Sequence, residues 1–136
     1  MDRQDRQEPQ ESLDRLAAVL VDSIVTVHRG LGPGLLESSY QYCLAHELAS
    51  RGIKVHCSVP VPLKYRQAML DVGYRLDMVV DGRIVVEHKV VDALAPVHLA
   101  QLMTYLKLGG LRLGFLVNWN VTRIRDGMRR VVYRHN

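Results

Sequence analysis

The stretch Leu76-Asp77-Met78-Val79-Val80-Asp81-Gly82-Arg83-Ile84-Val85-Val86-Glu87-His88-Lys89 decides the fold. Two Val/Ile-rich runs predict strands covered on both faces, and Asp81-Gly82 between them is a strong hairpin signal. Asp77 and the run Glu87-His88-Lys89 are out of place on such strands. Burying two neighbouring carboxylates without a counter-charge costs several kcal/mol per ion. A divalent cation would remove that cost. Lys89 shares a face with Glu87, because side chains alternate along a strand, and would add positive charge. The chemistry suggested by this set is metal-dependent phosphodiester cleavage.

The register of the hairpin is open at this level. A strict two-residue loop would pair Val80 with Arg83 and Asp77 with Val86, leaving Asp77 and Glu87 on opposite sides of the sheet. A three-residue loop, Asp81-Gly82-Arg83, or one bulge pairs Asp77 with Glu87 instead. Both runs are apolar on both faces, so hydrophobic alternation does not choose between the two.

Ser12 is placed to cap a helix whose apolar positions Leu13, Leu16, Ala17, Leu20, Ile24 and Val25 keep helical spacing, and Gly30-Leu31-Gly32-Pro33-Gly34 stops it. A second helix is expected from about Leu35 to Arg51, with Gly52 as its C-terminal cap and Glu37 in its first turn. Ile53 to Arg66, with Pro60 and Pro62, reads as an edge strand that turns near Gln67 into the strand ending at Val80. Pro96 opens a third helix with an apolar stripe of Leu99, Leu102, Met103 and Leu106, and Gly109-Gly110 ends it. Leu113 to Trp119 is a further buried strand, and Arg130 to Arg134 a last one after Asp126-Gly127. The expected fold is α/β, with a mixed central sheet of four or five strands flanked by helices. One domain over 12–136, preceded by a flexible polar tail over 1–11, accounts for the chain.

A length of 136 residues suits one domain with its own core, and 48% hydrophobic with 24% charged residues argues against disorder. The polar first ten residues lack the apolar run of a signal peptide, and no segment reads as a membrane helix. A cytoplasmic protein without a membrane partner is expected. Cys43 and Cys57 lie far apart and suggest neither a zinc site nor a disulfide. The net charge of +4 is uneven: Arg112, Arg123, Arg125, Arg129, Arg130 and Arg134 face only Asp126 in the C-terminal stretch. These arginines either meet a nucleic-acid backbone or form a solvated surface. Exposed sheet edges make a homodimer a further expectation.

Gly34-Leu35-Leu36-Glu37-Ser38-Ser39-Tyr40, Asp77, Glu87-His88-Lys89 and Gln101-Leu102-Met103-Thr104-Tyr105 together resemble the GxxExxY protein family, a branch of the PD-(D/E)XK nuclease superfamily. The resemblance spans His28 to Asn120 and implies a restriction-endonuclease-like core. It implies that Glu37, Asp77 and Glu87, with the backbone carbonyl of His88, hold one or two Mg2+ ions (or Mn2+), which prefer oxygen ligands. Lys89 would orient the attacking water or stabilise charge on the phosphoryl oxygens. Gln101 and Tyr105 would position the phosphate, the lysine or waters. The implied partner is nucleic acid, with DNA preferred over RNA.

The sequence departs from the superfamily pattern at two places. Leu76 stands where the proline before the strand acid is expected, and His88 occupies a usually apolar position, where it could face solvent, cap a neighbouring element or sit in an interface. Plainer roles stand beside the functional ones. Glu87 and Lys89 could form a surface ion pair, and Glu37 could be an acid favoured by a helix start. Tyr40 reads as a core aromatic and His28 as a structural histidine at a helix end, whereas Tyr105 is divided evenly between core and site. Gly32-Pro33-Gly34 lacks the Lys-Ser ending of a P-loop and reads as a turn that aims Glu37. Three functions fit: a metal-dependent nuclease, a catalytically silent binding or assembly module, and a hydrolase of another small phosphoester.

Overall fold

The computed structural model describes the backbone of residues 3–135 and the side chains of residues 10–135. In chain order the elements are α1 (Arg3–Leu31), α2 (Glu37–Ser50), β1 (Val55–Pro60), β2 (Leu63–Tyr65), β3 (Ala68–Leu70), β4 (Arg75–Val80), β5 (Ile84–Lys89), α3 (Pro96–Gly109), β6 (Leu113–Asn118), α4 (Ile124–Gly127) and β7 (Met128–Val132). Five strands form one sheet in the order β1-β4-β5-β6-β7, while β2 and β3 make a separate hairpin. Only β5 and β6 run parallel, because α3 carries the chain back across the sheet between them; the other pairs are antiparallel. The sheet is therefore mixed, as expected.

Helices cover both faces. On one side α1 and α2 bury Leu13, Leu20, Ile24, Tyr40, Leu44 and Leu48 against Met78, Val80, Ile84, Val86 and Val117. On the other, Leu102 and Leu106 of α3 cover Val79, Val85 and Leu116. Adjacent residues of β4 and β5 point into different cores, which is why both sequence runs are apolar without alternation.

The hairpin between β4 and β5 settles the register. Met78 pairs with Val86, Val79 with Val85 and Val80 with Ile84, so Asp81-Gly82-Arg83 is a three-residue connection and Asp77 comes opposite Glu87. Asp81 and Gly82 both take left-handed backbone, with φ of 53° and 64°, and Arg83 N–H closes the turn on the Val80 carbonyl at 3.0 Å. Asp-Gly suits this turn because both residue types tolerate positive φ. Arg83 is the extra residue that puts the two acids on one face.

Several expected boundaries move. Helical backbone begins at Arg3, so Ser12 lies inside α1 instead of capping it, and of the segment 1–11 the first two residues fall outside the described ones. The polar positions before Ser12 gave no apolar period by which to recognise helix. Within α3, Leu102 and Leu106 are buried as expected, but Leu99 and Met103 are exposed. The stripe is narrower, completed by the partly buried Tyr105 and Leu108. Ile53–Arg66 is not one strand: β1 stops at Pro60 and the hairpin β2–β3 follows. The last strand starts at Met128, after a single helical turn at Asp126-Gly127.

That turn is tight. A Cβ on Gly127 would run into the backbone carbonyl of Asn118, at the end of β6. Gly127→Ala is therefore expected to destabilise the protein by about 1–3 kcal/mol, as overpacking a closed site does. Gly82→Ala meets no atom within 4 Å and strains only its positive φ. Urea unfolding of both variants checks the order, Gly127→Ala being the weaker protein.

Candidate active site

The two strand acids face each other where the β4–β5 ladder ends. Beyond Met78 the backbone pairing gives way to side chains: Asp77 N–H donates to Glu87 Oε1 at 3.1 Å, and His88 N–H donates to Asp77 Oδ2 at 2.9 Å. Each carboxylate thus takes the backbone donor of the opposite strand. Glu87 is buried and Asp77 half-buried. Burial, then the charge of Asp77, raises the Glu87 carboxyl to about 8, helped by a hydrogen bond between the two carboxyl groups and opposed by the Asp77 backbone N–H and by Lys89. At neutral pH the metal-free pair therefore holds a proton that a cation would displace.

Three more residues join this pair. Glu37 opens α2 after a turn in which Gly32 and Gly34 have φ of 69° and 99°. Tyr40 ties that turn down: its hydroxyl donates to the Gly32 carbonyl at 2.6 Å and accepts from Leu35 N–H at 3.1 Å. Glu37 is exposed, and its carboxyl is raised by partial burial and by the charge of Asp77, while Lys89 lowers it. Half-buried Lys89 shares the Glu87 face of β5. Tyr105 approaches from α3, its phenol raised by burial and by the charges of Glu87 and Asp77. Gln101 is exposed one turn earlier on α3.

His88 faces the other way, into the α1/α2 core, and is fully buried. None of the three surroundings considered for it in the sequence is found. Its Nδ1 accepts a hydrogen bond from Trp119 Nε1–H at 3.1 Å. The indole nitrogen only donates, so the imidazole proton sits on Nε2, which has no partner among the described residues. Burial lowers the His88 imidazole to about 4, which keeps it neutral. Lys89 gives its carbonyl to Trp119 N–H at 3.0 Å. Alternation along β5 then turns the N–H and carbonyl of His88 toward β4 and Asp77.

Trp119 and Asn118 were read in the sequence only as strand residues, yet they hold this end of β5. Trp119 stacks on Tyr40, with centroids 4.8 Å apart and planes 9° from parallel. The Asn118 side chain bonds both Val91 N–H at 3.1 Å and the Val91 carbonyl at 2.9 Å, fixing the chain just past Lys89. A buried asparagine and tryptophan closing an apolar strand were the available signal. His28 is structural: Nε2 donates to the carbonyls of Trp119 and Val121, not to those of its own helix.

The arginines do not gather. Arg112 precedes β6 at the Ile84 end of the hairpin, away from Glu87, and reaches Gln10 of α1 at 3.2 Å. Arg130 contacts Asp14 at 3.4 Å and covers the Phe115 ring, whereas Arg129 pairs with Leu116 and points to the opposite face. Arg123 and Arg125 lie at α4. Cys43 and Cys57 are both free.

The model of the PD-(D/E)XK nuclease superfamily matches residues 14–131. The chain belongs to the PD-(D/E)XK nuclease superfamily. No curated protein and no solved structure gives a significant match. The match covers the helix carrying Glu37 and all the strands except the last residue of β7, so the five-stranded sheet flanked by helices is the superfamily core. Members of this superfamily generally use divalent metals. The donor set is compatible with a hard cation, since it is built from carboxylate oxygens and the Glu87 proton marks an uncompensated negative charge. Among the described residues, however, no three His, Cys, Asp or Glu side chains are gathered closely enough to hold a metal as they stand. No described helix is long and apolar enough to cross a membrane.

The raised Glu87 carboxyl has a pH signature. Below its ordinary value of 4.5 the group is protonated folded or unfolded and contributes nothing; as pH rises toward about 8, ionisation favours the unfolded chain. The loss grows with pH across that window. In chelator, Glu87→Gln should therefore melt progressively higher than wild type as pH rises from 5 to 8. Comparing the two proteins cancels the separate loss from His88, which acts as pH falls from 6.5 toward 4. Thermal melts across pH check this, and a constant difference would contradict it.

Proposed function

We propose that the protein is a Mg2+-dependent nuclease of the GxxExxY type that hydrolyses phosphodiester bonds of DNA, or of RNA. The reading is carried by the opposed acids, Asp77 and Glu87, in hydrogen-bonding reach of each other, with Lys89 on the same strand face. Superfamily membership supports a nuclease-type function. Asp77, Glu87, Glu37 and the His88 carbonyl are the groups that would hold the cation. When bound, a divalent ion lowers the pKa of water and neutralises charge on the phosphate.

The protein's own groups do the rest. The ammonium of Lys89 is a compact positive charge, suited to orienting the attacking water or to meeting the negative charge that grows on the phosphoryl oxygens. The Tyr105 hydroxyl, its phenol raised by burial and then by its acidic neighbours, offers a donor to a phosphate oxygen. Gln101 would assist from one turn away. Trp119 and Asn118 act through β5, keeping the Glu87 and Lys89 end in place.

A second reading, a binding module that keeps the fold without cleavage, is favoured by one observation: Glu37 stays exposed and the acids do not close into a three-residue cluster. Paired assays separate the two. Lys89→Ala should retain Mn2+ binding by calorimetry but slow cleavage of labelled DNA and RNA by roughly 100-fold or more, as expected for a group acting on transition-state charge. Asp77→Ala should lose both. A wild-type protein that binds Mn2+ and cuts neither polymer establishes the binding module, and equal cleavage by wild type and Lys89→Ala rejects the role of the lysine.

A further inference from the structure

The hairpin β2–β3 stands apart from the rest of the fold. It leaves the sheet after Pro60 and returns just before Arg75, packing chiefly strand on strand. Its base is closed by Val61 N–H on the Tyr74 carbonyl at 3.1 Å, and Val61 is buried in the α3-side core with Leu76 and Val79. The arm is thus anchored three residues before Asp77 and rises from the end of the sheet that carries the acids. Its side chains are unusual for an outward-facing hairpin: Tyr65 is 60% exposed, Met69 61%, Val72 52% and Tyr74 40%. Isolated apolar groups on a surface need no explanation, but a cluster of them does.

Two features define what this arm meets. Between Val61 and Arg75 the cations are Lys64, Arg66 and Arg75, of which Arg75 is ion-paired with the one carboxylate, Asp71, at 3.8 Å, so Lys64 and Arg66 carry the net positive charge. The Arg66 guanidinium lies over the Tyr65 ring, 5.5 Å from its centroid. Tyr74 is tilted against Tyr105 with centroids 6.0 Å apart, and Tyr105 is the residue that feels the charges of Glu87 and Asp77. Aromatic rings are thus present at the tip of the arm, beside Arg66, and at its base, beside Tyr105. An acidic protein surface would meet the cations and the apolar side chains but would not supply a regular series of flat rings and negative charges. A polyanion bearing flat apolar rings matches both. The faces of the bases are available only where they are not stacked within a duplex.

We infer that the β2–β3 arm is a binding surface for single-stranded nucleic acid, with Tyr65 and Tyr74 stacking bases and Lys64 and Arg66 meeting phosphates on the way to Asp77 and Glu87. The inference deepens the nuclease reading, on which it rests for the identity of the polymer.

Binding is measured in chelator, so that cleavage plays no part, by fluorescence anisotropy of labelled oligothymidylate, oligouridylate and a blunt duplex of equal length. Wild type should bind single strands more tightly than duplex. Tyr65→Ala and Tyr74→Ala should each weaken single-strand binding by roughly 5- to 100-fold, the usual effect of losing one stacked base. Arg66→Glu, an exposed change that leaves the rings in place, should weaken binding and reduce its salt dependence. The ratio of the DNA and RNA probes assigns the sugar. Matching melting temperatures show that the variants fold, and light scattering reports their assembly. Equal affinity for duplex and single strand, unchanged binding by all three variants, or variants that alter self-association instead of binding would each overturn the proposal. Tight single-strand binding with no cleavage in Mg2+ would defeat the nuclease reading and leave the arm intact, whereas cleavage unaffected by the arm variants would do the reverse.

Discussion

Two carboxylates placed at the end of an otherwise apolar ladder govern the rest of this molecule. Asp77 and Glu87 lie on adjacent strands, each accepting a backbone N–H from the other strand, with the Glu87 carboxyl raised to about 8 by burial and by the charge of Asp77. With Glu87 buried and Asp77 half-buried, water solvates the pair poorly and the charge has to be handled locally. Lys89 of β5 and the Asp77 backbone N–H offset part of it, while α2 brings a further acid, Glu37, and α3 brings Tyr105 to the same end of the sheet. The three-residue turn at Asp81-Gly82-Arg83 is a precondition, because one residue fewer would send the two acids to opposite faces.

The reverse side of β5 explains why that end is rigid. His88 enters the α1/α2 core as a neutral imidazole held by the Trp119 indole, and Trp119 in turn lies flat on Tyr40, which fixes the turn before Glu37. One aromatic stack therefore connects the strand acids to the helix acid. His88 Nε2–H has no partner among the described residues, and a buried donor left so costs on the order of 1–3 kcal/mol. An apolar residue at position 88 would avoid that cost but would lose the link to Trp119.

Much of this was legible in the sequence. The Asp-Gly turn between two Val/Ile runs, Pro96 opening a helix and Gly109-Gly110 closing it are local signals whose physics does not depend on the fold. The hairpin register was not legible, since β4 and β5 are buried on both sides and their patterns carry no phase. Nor was the role of Trp119 and Asn118, which depends on contacts with residues about thirty positions away. The start of α1 was hidden because a polar helical stretch has no apolar period. The β2–β3 hairpin was read as a strand and its continuation, because its alternation of apolar and charged residues resembles a sheet edge while both its faces meet solvent.

The most direct test of the account is a crystal soaked in Mn2+ and examined for anomalous scattering. The account predicts a peak at this end of the sheet, where Asp77, Glu87, Glu37 and the His88 carbonyl are the groups that would hold the ion. A map with no peak between Asp77 and Glu87 at Mn2+ concentrations that saturate binding in solution, or a peak ligated by other residues, would contradict it.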